Sequence, residues 1–132
     1  MLSKENEVNS NITILYGSLP EARSASAQGE HGCYIALDYS MLWGGKEART
    51  ALYHELGHCA TGSFYNMYAP LDIRVKHEVR ADRWAIEQLI PRDRLAEALA
   101  QGRDLWELSD IFSVTPQFIL KAEEYYLTKE IL

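Results

Sequence analysis

Residues 50–62, TALYHELGHCATG, hold two of the chain's four histidines, four residues apart, with a glutamate directly after the first. On a helix, His54 and His58 lie about 40° apart around the axis, so both rings can reach one metal ion. Glu55 is rotated by about 100° from His54, away from the ion but near enough to take a proton from a water beside it. The order His-Glu-x-x-His therefore supplies two ligands and a general base on one helical turn. A catalytic zinc needs a third protein ligand and an open position. The extended pattern His-x-x-Gly-x-x-His fails, because Thr61 and Phe64 stand where its glycine and third histidine belong.

The other source of a ligand is an acidic residue on a second helix. KHEVRADRWAIEQLI offers Glu78, with Asp82 four residues later. On a helical wheel Val75, Val79, Ala85, Ile86 and Leu89 form the apolar face, and both carboxylates fall on it. Lys76, Arg80, Arg83 and Glu87 take the other side. Carboxylates on a buried face are costly unless paired. A metal compensates Glu78, and Asp82 can accept the second ring N–H of a ligand histidine and orient it. The ordinary alternative is pairing with Arg49 or Arg74. His77 points about 100° away from Glu78 and is expected at the surface. His31, Tyr65 and Tyr68 are three candidates to hydrogen-bond a developing oxyanion, and their types do not choose among them.

These residues need elements to hold them. NITILYG (residues 11–17) alternates Ile12, Ile14 and Tyr16 and reads as a strand. SLPEARSASAQGEHG reads as a surface loop or a poor edge strand. CYIALDYS (residues 33–40) is a second strand with Cys33, Ile35 and Leu37 on one face. Gly44 and Gly45 precede a helix from about Lys46 to Ala60, stopped by Thr61 and Gly62. Its apolar stripe is Ala48, Leu52, Leu56 and Cys59, and Glu55 lies between that stripe and the histidines. SFYNMYAPLD is a loop. A second helix runs from about Ile73 to Ile90 and ends before Pro91. Three shorter helices follow, the last with Thr115 as N-cap and Pro116 as its first residue.

The expected fold is α+β: a small N-terminal antiparallel sheet packed on a helical core, with a C-terminal helical cluster. The 132 residues make one domain, with 1–10 as a flexible N-terminus and 103–132 as the C-terminal helical segment. A net charge of -6 disfavours nucleic-acid or membrane-surface binding, and with it a DNA-binding role for the C-terminal helices, where Lys121 and Lys129 are a thin basic face. No apolar run reaches the ~20 residues that span a bilayer. The polar start, MLSKENEVNSN, lacks the core of a signal peptide. Cys33 and Cys59 are expected as free thiols in a reducing compartment, with Cys59 a small apolar residue and not a ligand.

HELGH at 54–58 followed by HEVRADRWAIEQLIP at 77–91 resembles the ImmA/IrrE family of metallopeptidases. Its second motif reads Glu-x-x-Ala-Asn/Asp-x-Phe/Trp-Ala and continues to a proline. Glu78, Ala81, Asp82, Trp84, Ala85 and Pro91 fill those places. Phe112, Val114 and Thr115 match the family's C-terminal pattern loosely. The resemblance spans roughly residues 34–127. It implies a minimal gluzincin-like core and a zinc-dependent endopeptidase of the short type carried by phages and mobile elements. The implied substrate is a helix-turn-helix repressor in the cytoplasm of a bacterial host. His54, His58 and Glu78 would hold the zinc and Glu55 would act as base. The strand at 33–40 is expected to offer an edge to an extended substrate. The rival expectation is a regulatory module that grips its repressor, with zinc as a structural element.

Overall fold

The structure, a computed structural model, describes residues 11–129. The expected flexible N-terminus, 1–10, lies outside the described residues. The fold is α+β, with strands early and helices late. The strands are β1 (Ile12–Gly17), β2 (Ser24–Gly29) and β3 (Gly32–Asp38). A 3₁₀ turn, Tyr39–Met41, leads into helix α1 (Gly45–Thr61). Then come α2 (Leu71–Leu89), α3 (Arg92–Ala100), α4 (Leu105–Phe112) and α5 (Pro116–Thr128). No helix among the described residues is long and apolar enough to cross a membrane.

The strand order is β1-β3-β2. β3 pairs in parallel with β1, from Ile12↔Cys33 to Gly17↔Asp38, and antiparallel with β2, from Ser24↔Leu37 to Gly29↔Gly32. The sheet is therefore mixed where an antiparallel one was expected, and β3 is its centre, with no free edge. The difference comes from SASAQG. Its small polar residues hide the alternation of a strand, yet it closes a tight hairpin with β3 through Glu30 and His31 and occupies one whole side of it. β1 then takes the other side. The free edge next to α1 belongs to β2.

β3 is central because it is the strand with a fully apolar face. Cys33, Ile35 and Leu37 are buried, and they pack with Met41 and Ala48 against the partly buried Leu52, Leu56 and Cys59 of α1. A second core joins the C-terminal half of α2 to α3, α4 and α5 around Ile86, Leu95, Leu108 and Ile119. The helix ends follow from local chemistry. Gly62 stops α1 in the left-handed conformation, φ 66°. Asp104 and Glu107 form a capping box on α4. Thr115 caps α5 with Pro116 at its first turn, as the sequence indicates. Helix α2 begins directly after Pro70, two residues earlier than expected.

The two cysteines are not free thiols: Cys33 and Cys59 form a disulfide between β3 and α1, across 26 residues of chain. Both lie on the surfaces by which the sheet and helix pack, and their Cα atoms are 5.9 Å apart, inside the range a disulfide spans. Nothing in their sequence spacing signals this, because the meeting is tertiary. The cysteines thus supply no argument for a reducing compartment. Reduction by a dithiol, or paired Cys33→Ser and Cys59→Ser substitution, is expected to cost about 2–4 kcal/mol of stability. Urea unfolding followed by circular dichroism checks this; an unmoved midpoint in both experiments would contradict the bond.

Candidate metal centre and its cleft

The centre is built where α1 crosses α2. Gly57 makes that crossing close: a Cβ added there would lie 2.4 Å from the carbonyl oxygen of Ala81 and 3.0 Å from its Cα. His54 and His58 flank Gly57 on one helix, and Glu78 and Asp82 flank Ala81 on the other, so the contact brings all four together. His54 Nε2 lies 2.8 Å from Glu78 Oε2, and His58 Nε2 lies 3.2 Å from Glu78 Oε1. The two Nε2 atoms are 3.2 Å apart. His54, His58 and Glu78 form a group whose ligand atoms all lie within 4.8 Å of one another and which can hold a metal ion.

The donor set fits such an ion. A tetrahedral ion with bonds of ~2.0–2.1 Å holds two donors ~3.3 Å apart, so the three groups need only small movements to receive one. The opposite nitrogens are already engaged. His54 Nδ1 is 2.7 Å from Asp82 Oδ1, and His58 Nδ1 is 2.6 Å from the Ser63 carbonyl oxygen. Both partners are acceptors, which puts the ring protons on Nδ1 and leaves Nε2 for the ion. Asp82 is held in turn by Lys121 of α5, at 2.9 Å. The expected alternative, pairing of the carboxylates with Arg49 or Arg74, is not what forms. Arg49 lies over the Tyr53 ring, and the Arg74 Nε is buried without a hydrogen-bond partner.

Glu55 is 5% exposed, and its carboxylate forms no salt bridge among the described residues. It accepts hydrogen bonds from Ser24 Oγ at 2.7 Å and Ser26 Oγ at 2.6 Å. It opens with His54, His58 and Glu78 onto one cleft of about 620 Å³, walled by β2 on one side and by Ser63, Phe64 and Tyr65 on the other. Of the three oxyanion candidates, Tyr65 alone lines this cleft, with its hydroxyl donating to Glu78 Oε1 at 2.7 Å. Tyr68 is 86% exposed, and His31 sits in the exposed β2–β3 turn.

Two expectations for α2 change. Val75 and Val79 are exposed, and the inward face is formed by Glu78, Ala81, Asp82, Ala85, Ile86 and Leu89. The close backbone contact at Ala81 admits only small side chains and so sets the helix's rotation. His77 is half-buried where a surface position was expected; its ring stacks on Tyr65 at 5.9 Å between centroids. The sequence reading missed Ser24, Ser26, Ser63 and Lys121. Two signals were available. Ser24 and Ser26 share one face of a strand, and Lys121 interrupts the apolar face of α5 between Phe118 and Tyr125.

The charged groups of the site shift one another's titration. Burial lowers the His54 pKa, but the hydrogen bonds to Asp82 and Glu78 outweigh it and hold the ring at about 10. His58 is opposed by burial too and is raised by Glu78 and the Ser63 carbonyl. Hydrogen bonds from His54 and then His58 hold Glu78 far below the usual carboxylate range. Tyr65, bonded to Glu78, is pushed up to about 12. Comparison of the chain with protein-family models, with curated proteins and with solved structures gives no match.

Two outcomes follow. Gly57→Ala should separate the helices, cost about 1–3 kcal/mol of stability and weaken metal binding, as read by chelator competition; a fully metal-binding variant would show that the crossing does not set the site. In the metal-free protein near neutral pH the His54 imidazole, held at about 10, keeps its second proton, and a metal must displace it. Binding should therefore release about one proton and weaken as pH falls. Calorimetry in buffers of different ionisation enthalpy measures the release; binding with no proton exchange would refute it.

Proposed function

We propose that the chain is a zinc-dependent endopeptidase in which His54, His58 and Glu78 hold the ion and Glu55 is the general base. The observation that carries this reading is Glu55. A metal that only stiffens a fold needs no base beside it and is usually enclosed by four protein ligands. Here three donors converge among the described residues, on the wall of an open cleft, with a buried carboxylate alongside them. Two imidazoles and a carboxylate are a donor set that suits zinc.

A bound zinc ion would supply Lewis acidity, making a water more acidic and polarising a peptide carbonyl. The chain's own residues do the rest. Glu55 takes the proton from the water and passes it to the departing amine. Ser24 and Ser26 hold its carboxylate in place for both transfers. Asp82 fixes the His54 ring, and the Tyr65 hydroxyl, which donates to Glu78, would turn from it to the oxygen on which negative charge develops.

The cleft wall favours an extended polypeptide. Asp38 N–H donates to the Arg23 carbonyl, and pairing alternates from there along the antiparallel β2–β3 ladder. Arg23, Ala25 and Ala27 therefore bond to β3, while Ser24, Ser26 and Gln28 turn their backbone groups to the free edge. A substrate strand can add there, beside the base. The repressor as substrate, relief of repression as outcome, and a bacterial cytoplasm as the setting rest on the resemblance of HELGH and the Glu78–Pro91 motif to the ImmA/IrrE family.

Glu55→Gln is the decisive substitution. It should keep zinc and lower the cleavage rate by ~10²–10⁴-fold, measured by mass spectrometry of fragments after incubation with the product of an adjacent repressor-like gene. A Gln variant that still relieves repression fully would replace the enzyme by a module that works through binding.

A further inference from the structure

Tyr65 lines the cleft, and little of its own backbone holds it there. It sits in the stretch between α1 and α2, is 37% exposed, and among the described residues makes no backbone–backbone hydrogen bond. Its neighbours are tied down: Ser63 N–H donates to the His58 carbonyl, Phe64 N–H to the Gly62 carbonyl, and Ala69 N–H to the Asn66 carbonyl. The Tyr65 hydroxyl donates to Glu78 at 2.7 Å. In the proposed reaction that is the bond that breaks, because the hydroxyl leaves Glu78 for the substrate oxygen. Whatever orients Tyr65 at that moment must act on its ring.

Two imidazoles meet that ring. His77 stacks on it, with planes 28° apart and centroids 5.9 Å apart, and His58 meets it edge-on at 6.5 Å. Both separations lie within the ~4.5–7 Å over which aromatic pairs attract. His58 is already committed to the Ser63 carbonyl and to the metal-holding group, whereas His77 gives Tyr65 its face. The His77 Nδ1 is buried and has no hydrogen-bond partner among the described residues. A buried nitrogen left unpaired is costly, so the useful part of this side chain is its flat ring. His77 lies one residue before Glu78 and one turn before Ala81. The backbone contact at Ala81 that aims Glu78 at the histidines therefore also aims His77 at Tyr65.

We infer that His77 is a positioning residue: its ring face keeps Tyr65 over the cleft, so that the hydroxyl passes from Glu78 to the substrate oxygen without the side chain swinging out to solvent. The role rests on the peptidase reading and is exerted wholly through Tyr65. It asks nothing of the imidazole nitrogens. A flat ring of another kind therefore serves, and a small side chain does not.

One arm of the test needs no cleavage. In the zinc-free full chain with isotopically labelled tyrosine rings, nuclear magnetic resonance reads the Tyr65 ring protons, assigned with Tyr65→Phe. Stacking shifts them upfield; His77→Ala should abolish that shift and His77→Phe should keep it. A Tyr65 signal that His77→Ala leaves in place overturns the inference. The other arm follows cleavage of the product of an adjacent repressor-like gene. His77→Ala should lower kcat about tenfold and leave KM and zinc content unchanged. It should cost at most about twofold more once Tyr65 is already Phe. His77→Phe should recover the rate. Loss of zinc from His77→Ala, additive losses with Tyr65→Phe, or a Phe variant as slow as the Ala variant overturns the inference too. A wild-type chain that releases no fragments counts against the peptidase reading instead, and the ring shift then decides by itself whether His77 places Tyr65.

Discussion

Helices α1 and α2 meet backbone to backbone at Gly57 and Ala81, and the rest of the centre depends on that contact. No side chain larger than hydrogen fits at Gly57, because the Ala81 carbonyl occupies the space a Cβ would take. The contact lies between the histidines on one helix, next to His58, and between the carboxylates on the other, next to Asp82. Each pair is spaced by one turn, so a single crossing aligns four side chains. A wider separation would leave two imidazoles on one surface and two half-buried carboxylates on another, each with an unmet electrostatic need.

The crossing also organises the charge. Glu78 and Asp82 point at the same His54 ring from opposite sides, one at Nε2 and one at Nδ1. In the metal-free protein the proton held by His54 offsets part of that negative charge, and Lys121 offsets more. A dication in place of the proton would leave the hydrogen bonds at the two Nδ1 atoms untouched. Only the three groups facing the ion would rearrange. The scaffold thus gathers negative charge at a point where a cation would offset it.

What the sequence made legible follows the helical period. His54, Glu55, His58, Glu78 and Asp82 were readable because spacing of three to four on a helix fixes which side chains share a face. The rotation of α2 was not readable from the same period. Val75 and Val79 score as apolar, but Ala81 wins the inward position through a backbone contact that no hydropathy pattern encodes. β2 was obscured for a related reason: SASAQG carries its meaning in hydrogen bonding to Glu55, and small residues give a weak alternation signal. The disulfide joins residues 26 apart on different elements, and only the packing of sheet on helix reveals it.

The proposed base belongs to the sheet as much as to the helix. Glu55 is carried by α1, but both hydroxyls that hold it come from β2, and the backbone of those same serines faces the free edge. Side chains stand perpendicular to the edge direction in a strand, so one residue can hold the carboxylate and still pair with an incoming chain. In the proposed reaction, binding and proton transfer therefore share two residues, and the distance between strand and helix governs both. The Cys33–Cys59 bond spans the same interface from the central strand, next to the proposed ligand His58. A cross-link there resists the sliding of sheet against helix that would pull Ser24 and Ser26 off Glu55, which ties the precision of the base to a bond that takes no part in the chemistry.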